Sequence, residues 1–246
     1  MFDPSHWFIF GAWFLGGFVN GISGMGAGLV SLPIAASLLP MQDLVPASGL
    51  STLTVACYLV WAYRRYCRWS SLRHMLVGCL PGALLGVWIL RSVPSAGLLS
   101  VMGMGLIGFV GWQFCHRAGQ PHKETWLAGG LAGFSSACAH AAITFSGPPL
   151  AVYAVYAGWE QKTALGTMSI FFLGVNVLSC CLLGMAGMFT LPVLEFGFWG
   201  SAGATAGLLA AMPLVKYVRG EVFRRILLGM IGLAGVVCLA RAAAQP

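Results

Sequence analysis

Long uncharged runs dominate this sequence and predict helices that lie in a lipid bilayer. A transmembrane helix needs about 20 apolar residues, because a charged side chain at the bilayer centre costs roughly 2.5 kcal/mol or more. The uncharged runs cover residues 4–42, 44–63, 74–90, 92–116, 125–159, 163–194, 196–215 and 226–240. We therefore predict an all-α polytopic membrane protein.

Two stretches, 7–39 and 125–157, do not fit a single straight helix. Each is 33 residues long, whereas one span needs about 20 residues and two spans need about 40. Gly and Pro interrupt both stretches, in GISGMGAGLVSLP at 21–33 and in HAAITFSGPPLAVY at 140–153. Paired broken segments are typical of transporters, in which unwound backbone lines a cavity. The alternative is that these glycines serve only helix packing.

Short matches between the two halves indicate a duplication. They occur in the same order, at offsets of 117, 121 and 124 positions. The pairs are VPASGLST at 45–52 with KTALGTMS at 162–169, PGALLG at 81–86 with AGATAG at 202–207, and Gly105, Gly108 and Gly111 with Gly229, Gly232 and Gly235. We predict two repeats, 1–120 and 121–246, within one membrane domain.

The distribution of Lys and Arg distinguishes two topologies. If each broken stretch crosses the membrane once, seven basic residues lie on one side and six on the other. If each stretch is a hairpin, eleven share one side and only Arg91 and Arg241 lie opposite. The positive-inside rule favours the second arrangement. We predict two inverted repeats, each a broken re-entrant-type helical hairpin plus three transmembrane helices, with both termini outside the cytoplasm.

Composition agrees with a membrane protein and argues against several other classes. Hydrophobic residues make up 59% of the chain and charged residues 8%, far below the roughly 25% of soluble proteins. The formal charge of +7 comes from Lys and Arg in short loops, so we do not expect nucleic acid as a partner. The eight cysteines have neither CxxC nor Cys/His ligand spacing. We expect no disulfide framework, metal site or cofactor.

The helix breaks are suited to binding a small anion. A break exposes unpaired N–H groups and the positive end of a helix dipole at membrane depth, and the predicted cores contain no Lys or Arg. The candidate substrate-binding residues are Asn20, Ser23, Gly24, Gly26, Gly28, Ser48, Thr52, His140, Thr144, Ser146, Gly147, Pro148, Thr167 and Asn176. For any one hydroxyl among them, interhelical hydrogen bonding is the alternative role.

Two titratable residues allow proton coupling as an open alternative. His140 lies deep in an apolar run, where it suits a proton relay, an anion contact or a bond to a backbone carbonyl. Glu195 lies at the start of a predicted span, and we interpret it as an interfacial residue.

The ordered motifs GISGMGAGLVSLP, ASGLST, SGPPLAVY and ALGTMS resemble the TauE/SafE family of sulfite-exporter-like permeases, over about residues 10–240. The resemblance implies a multi-pass secondary transporter in a bacterial inner membrane. Its substrate would be sulfite, a sulfonate or a related organosulfur or carboxylate anion. By position, the resemblance assigns Gly24, Gly26, Gly28 and Pro33 to the first break and Gly147, Pro148 and Pro149 to the second. Ala27 departs from the usual Gly-Gly-Gly run, so the substrate stays open.

Two alternative functions use the same residues. The segment Gly21–Gly24 matches the GxSG of intramembrane serine proteases, with His140 as the base, although here the motif opens the first repeat. A proton-coupled carrier of another solute is the second alternative, but the spans lack paired carboxylates. Transport direction, coupling ion and oligomeric state are left open.

Overall fold

The computed structural model describes residues 4–23, 26–115, 122–213 and 220–244, without the side chains of Ser23, 220–227 and Ala244. These residues form helices joined by short turns, which confirms the all-α class. The helices are α1 Pro4–Ser23, α2 Ala27–Ala35, α3 Met41–Tyr63, α4 Trp69–Ser92, α5 Ser95–Cys115, α6 Trp126–Ile143, α7 Gly147–Tyr156, α8 Gln161–Met185, α9 Leu191–Ala211 and α10 Gly220–Ala244, with a 3₁₀ helix at Arg64–Tyr66.

Length and hydropathy mark four of the described segments as able to cross a membrane. They are Met41–Tyr66, Trp69–Ser92, Ser95–Cys115 and Gln161–Met185. Large apolar side chains on the outer faces of the bundle are exposed, among them Leu76, Val77 and Leu80 on α4 and Phe198 on α9. An apolar surface of this extent is the one that lipid covers.

Both broken stretches fold back as antiparallel hairpins. In the first, the Ser31 hydroxyl on α2 donates to the Ala12 carbonyl on α1 at 3.0 Å. In the second, the His122 amide before α6 donates to the Tyr156 carbonyl at the end of α7 at 2.9 Å. The returning helices α2 and α7 have nine and ten residues, so each is about 15 Å long, half of a bilayer core. The hairpins are therefore unequal, because α1 and α6 have 20 and 18 residues.

Most of the described basic residues lie at one end of the bundle. The Lys162 ammonium lies 5.4 Å from the centre of the Tyr66 ring, which brings the start of α8 beside the end of α3. We call the end of the bundle at which α3 ends and α8 begins the basic end. It carries Arg64, Arg65, Arg68, Arg73, Lys123 and Lys162. Arg91 ends α4 at the opposite end, where Arg241 also lies in a groove with Phe8 and Ser37.

Glycines allow the first helix of each hairpin to approach a distant helix closely. A Cβ atom on Gly82 of α4 would lie 2.3 Å from the Phe134 carbonyl oxygen of α6. In the same way, a Cβ atom on Gly203 of α9 would lie 2.4 Å from the Phe10 carbonyl oxygen of α1. Real side chains do not fit at such distances, so the two backbones are in direct contact. Small residues serve this purpose in membrane helices.

The same contact recurs one helical turn further along both interfaces. Gly86 faces the Cys138 carbonyl and Gly207 faces the Phe14 carbonyl, with hypothetical Cβ distances of 2.4 and 2.0 Å. The glycines of α9 follow those of α4 by 121 positions, and their partners are separated by 124 positions in both cases. The α4–α6 and α1–α9 interfaces are thus built from corresponding residues of the two halves.

We expect Gly82→Ala to destabilise the protein by about 1–3 kcal/mol, because the methyl group must push a backbone carbonyl away. Gly108→Ala on α5 is the matched control, since a Cβ atom there meets no atom of the described residues within 4 Å. Thermal unfolding in detergent micelles measures both. Equal melting temperatures for the two variants would contradict the assigned contact.

Candidate functional site

The two helix breaks meet inside the bundle. Gly26 precedes α2 with a φ of 109°, in the left-handed region, where glycine carries no Cβ penalty. Thr144 ends α6 with a φ of 55°. A Cβ atom on Gly28 would lie 2.9 Å from the Thr144 methyl carbon, so the start of α2 touches the break between α6 and α7.

Thr144 holds a backbone conformation that β-branched residues rarely adopt. This backbone conformation costs of the order of 1–3 kcal/mol of folding free energy, and it persists only where the surrounding structure fixes it. Its amide donates to the His140 carbonyl at 2.8 Å, and its hydroxyl lies 2.8 Å from the Ser48 hydroxyl of α3. The break in the second hairpin is therefore fastened to α3 from the first half.

A cavity of about 70 Å³ lies where the breaks meet. A single buried water needs a cavity volume of about 10–15 Å³, so this cavity has room for a small polyatomic anion. It is lined by Asn20, Gly26, Ala27, Gly28, Leu29, Thr52, Ala56, Leu59, His140, Thr144, Ser146, Gly147, Ser169, Phe172 and Asn176. The lining contains no Lys, Arg, Asp or Glu.

Hydrogen bonds fix the polar side chains of the wall. The Asn176 amide nitrogen donates to the Thr52 hydroxyl at 2.9 Å, and Thr52 donates to the Ser48 carbonyl at 2.8 Å. Nδ1 of His140 lies 3.2 Å from the hydroxyl of Ser146, the residue that precedes α7. Asn176 on α8 also lies beside the His140 ring. The wall is a rigid, neutral surface of hydroxyl, amide and imidazole groups.

One polar group of the wall has no partner among the described residues. The side-chain oxygen of Asn20 is buried and accepts no hydrogen bond from the part of the chain that the structure describes. Leaving a buried acceptor unpaired costs about 1–3 kcal/mol, so a polar ligand or water in the cavity is favoured. Rotating the amide by 180° would instead present its nitrogen, a donor suited to an anion.

The two half-helices contribute differently to the electrostatics. Both α2 and α7 begin at the cavity, so the positive ends of their dipoles point into it. The first turn of α2 presents the amides of Ala27, Gly28 and Leu29, which belong to the N-terminal N–H groups that a helix leaves without an acceptor of its own. Pro148 and Pro149 occupy the first turn of α7 and have no N–H to donate. Donors on the α7 side are therefore the Gly147 amide and the side chains of His140 and Ser146.

The cavity brings together nine of the predicted site residues, which are Asn20, Gly26, Gly28, Thr52, His140, Thr144, Ser146, Gly147 and Asn176. Ser48 lies behind Thr144, and Pro148 is buried in the first turn of α7. Thr167 is placed elsewhere, near the basic end, where its hydroxyl accepts the Arg68 amide at 2.9 Å. Gly24 and the side chain of Ser23 lie outside the described residues.

Sequence reasoning omitted six lining residues, namely Ala27, Leu29, Ala56, Leu59, Ser169 and Phe172. Ser169 had a usable signal, because it matches Thr52 in the pair of segments 45–52 and 162–169, and both residues line the cavity. The apolar residues had none, since a Leu or Phe that faces a cavity looks like one that faces lipid.

A comparison with protein families settles the relationship of this chain. The family model for sulfite exporter TauE/SafE matches residues 9–238. The chain belongs to this family. Comparisons with curated proteins and with solved structures gave no significant match.

Membership in the TauE/SafE family confirms the resemblance that the motifs indicated. It identifies the chain as a multi-pass membrane transporter of the sulfur-anion type. A transporter family agrees with the prediction of a carrier rather than an enzyme. The match begins before the first break and ends within α10, so it includes every cavity-lining residue.

In this TauE/SafE chain, Gly28→Ala should lower transport about tenfold. The added methyl group must push α2 away from the Thr144 break. Overpacking of this kind costs roughly 1–3 kcal/mol, a range that includes the free energy of a tenfold change in rate. Gly11→Ala, in α1 of the same hairpin, is the matched control because a Cβ atom there meets nothing within 4 Å. Initial rates in proteoliposomes measure both, and an unimpaired Gly28→Ala variant would contradict the contact.

Proposed function

We propose that this protein is a secondary transporter that binds a small anion, sulfite, a sulfonate or a related organosulfur or carboxylate anion, in the cavity between the helix breaks. The observation that carries the proposal is the meeting of two helix breaks around a cavity whose described lining has no Lys, Arg, Asp or Glu. Helix dipoles and neutral donors stabilise an anion in such a site.

The walls of the cavity suggest what kind of anion fits best. Hydroxyl, amide and imidazole groups form one part of the lining, and Leu29, Leu59 and Phe172 form another. A sulfonate or carboxylate with a short apolar tail contacts both parts, whereas sulfite uses only the polar part. We therefore rank small organic sulfonates first among the proposed substrates.

We propose that the halves 1–120 and 121–246 are inverted repeats and that the basic end faces the cytoplasm. Corresponding residues build the α1–α9 and α4–α6 interfaces, which supports a two-fold relation between the halves. The first hairpin starts at the end that holds Arg91, and the second starts at the basic end. In a bacterial cell this arrangement obeys the positive-inside rule in the inner membrane.

Proton coupling is assigned to His140 rather than to Glu195 in this proposal. His140 lines the cavity, whereas Glu195 lies at the opposite end from the basic residues and is well exposed. Its nearest described partner there is His6, at 3.7 Å. An interfacial role accounts for Glu195 without a part in binding.

The direct test is transport into sealed vesicles that contain the purified protein. Labelled sulfite, thiosulfate, small sulfonates and small carboxylates should be offered under proton and substrate gradients. We expect the wild type to move at least one of these anions and Gly147→Leu to abolish uptake, because the larger side chain fills the cavity. No movement of any anion under any gradient would reject the carrier. Normal transport by Gly147→Leu would reject the site.

The proposed topology makes a separate prediction about the termini. Tags at the N- and C-termini should both react with membrane-impermeant reagents in intact cells, because each repeat crosses the membrane an odd number of times. Tags in the turns that carry Arg65 and Lys162 should react only after the membrane is opened. A cytoplasmic N-terminus would overturn the inverted arrangement.

A further inference from the structure

The cavity approaches the basic end of the bundle, where a turn packs against α8 one helical turn beyond the cavity wall. Its lining includes Leu59, near the end of α3, and Ser169, two turns into α8. Beyond them lies the segment 64–68, which we call the cover turn. A Cβ atom on Gly166 of α8 would lie 2.9 Å from the Tyr66 carbonyl carbon and 3.0 Å from the Cys67 amide nitrogen, so the cover turn packs directly on α8.

The cover turn is fastened at its last residue. The Arg68 amide donates to the Thr167 hydroxyl of α8 at 2.9 Å, and the Arg68 guanidinium lies 3.2 Å from a Glu124 carboxylate oxygen. These two contacts hold the turn between α8 and the start of the second hairpin. The position of Thr167, away from the cavity wall, is explained by this contact.

Glu124 also joins two further parts of the structure. Its carboxylate accepts the Ser71 hydroxyl of α4 at 2.5 Å and the Trp159 indole N–H of the α7–α8 turn at 2.7 Å. The Glu124 side chain is only 12% exposed. A carboxylate removed from water in this way needs all its donors, so losing one weakens the remaining set.

This cluster lies at the base of the hairpin whose tip forms the site. Glu124 stands two residues before α6, and the neighbouring His122 amide bonds to the end of α7. The tip carries His140, Thr144 and Ser146. A movement of the hairpin against α3 and α8 must therefore break contacts of Glu124.

The described contacts at the opposite end are of another kind. There Gln42 and Ser95 join the α2–α3 turn to the α4–α5 turn through neutral hydrogen bonds. The His6–Glu195 pair is longer, at 3.7 Å, and 65% of the Glu195 side chain is exposed. Among the described residues, the semi-buried charged cluster belongs to the basic end alone.

We propose that Glu124 is a positioning residue that holds the cover turn shut over the basic-end mouth of the cavity, and that its release opens the site to that side. The inference rests on the proposed transport function. It assigns the barrier on the basic side to Glu124, Arg68 and the cover turn, rather than to the residues that contact the anion.

A Ser169→Cys substitution provides a reporter, because Ser169 lines the cavity and lies nearer to the basic end than Asn176 on α8. In vesicles whose basic end faces outward, the proposal predicts that a charged, membrane-impermeant thiol reagent reaches the new thiol when the cover turn opens. Peptide mass spectrometry separates its modification from that of the other cysteines.

Glu124→Gln removes the charge and keeps the shape of the side chain, so it should loosen Arg68. We expect the rate of modification at position 169, in the Ser169→Cys background, to rise about fivefold or more, the factor that corresponds to roughly 1 kcal/mol. Ser71→Ala removes one donor and should give a smaller rise in the same direction. Glu160→Gln is the matched control, since Glu160 is an exposed carboxylate at the same end, and should leave the rate unchanged.

If neither Glu124→Gln nor Ser71→Ala changed the rate of modification at position 169, the proposal would be overturned even if their melting temperatures fall, because Glu124 would then be only a structural brace. The Ser71→Ala variant keeps the test decisive if Glu124→Gln does not fold. The labelling needs no substrate. If wild-type vesicles move no anion while the labelling responds as expected, the carrier function fails and the assignment of the cover turn stands.

Discussion

Every backbone N–H and C=O group in a hydrocarbon environment needs a partner, and a broken helix leaves several without one. The structure meets this constraint by bringing its two breaks together, so that each is enclosed by protein. The left-handed turn at Thr144, the contact between Gly28 and Thr144 and the Ser48–Thr144 hydrogen bond all follow from this meeting. The cavity is the space that remains where the unpaired groups converge.

Glycine makes this meeting possible at a distance from the site. The first helix of each hairpin packs against the surface of a helix outside the hairpin, whereas the second, returning helix is only about half as long. Gly82 and Gly203 supply that surface, because they let carbonyl oxygens approach where any side chain would collide. The hairpins are held by backbone contact along their long helices, and their tips are left to carry polar chemistry.

The sequence was informative wherever length and charge alone determine the outcome. A 33-residue stretch is too long for one span and too short for two, and the structure turns both stretches into unequal hairpins. Lys162 lies beside Tyr66, as the charge distribution required. Most polar residues at the breaks line the cavity because a break and its polar neighbours are close in sequence.

Details that depend on helix rotation were beyond the sequence. Thr167 and Ser169 are two positions apart on α8, yet one bonds to the cover turn and the other lines the cavity. Hydropathy cannot separate them, since both are hydroxyl residues in one apolar run. The same holds for Phe172, whose ring faces the site only because α8 packs against α3 in this rotation. The Glu124 cluster was likewise hidden, because its members come from segments far apart in sequence.

The α1–α9 interface has a consequence for how the protein is made. The glycines that receive α1 lie at positions 203 and 207, so α1 enters the membrane long before its packing surface has been synthesised. The α4–α6 interface, by contrast, needs only about 60 further residues after α4 begins. During biosynthesis the first hairpin must therefore wait, with a bare face that lipid or the insertion machinery covers, until the second half closes around it.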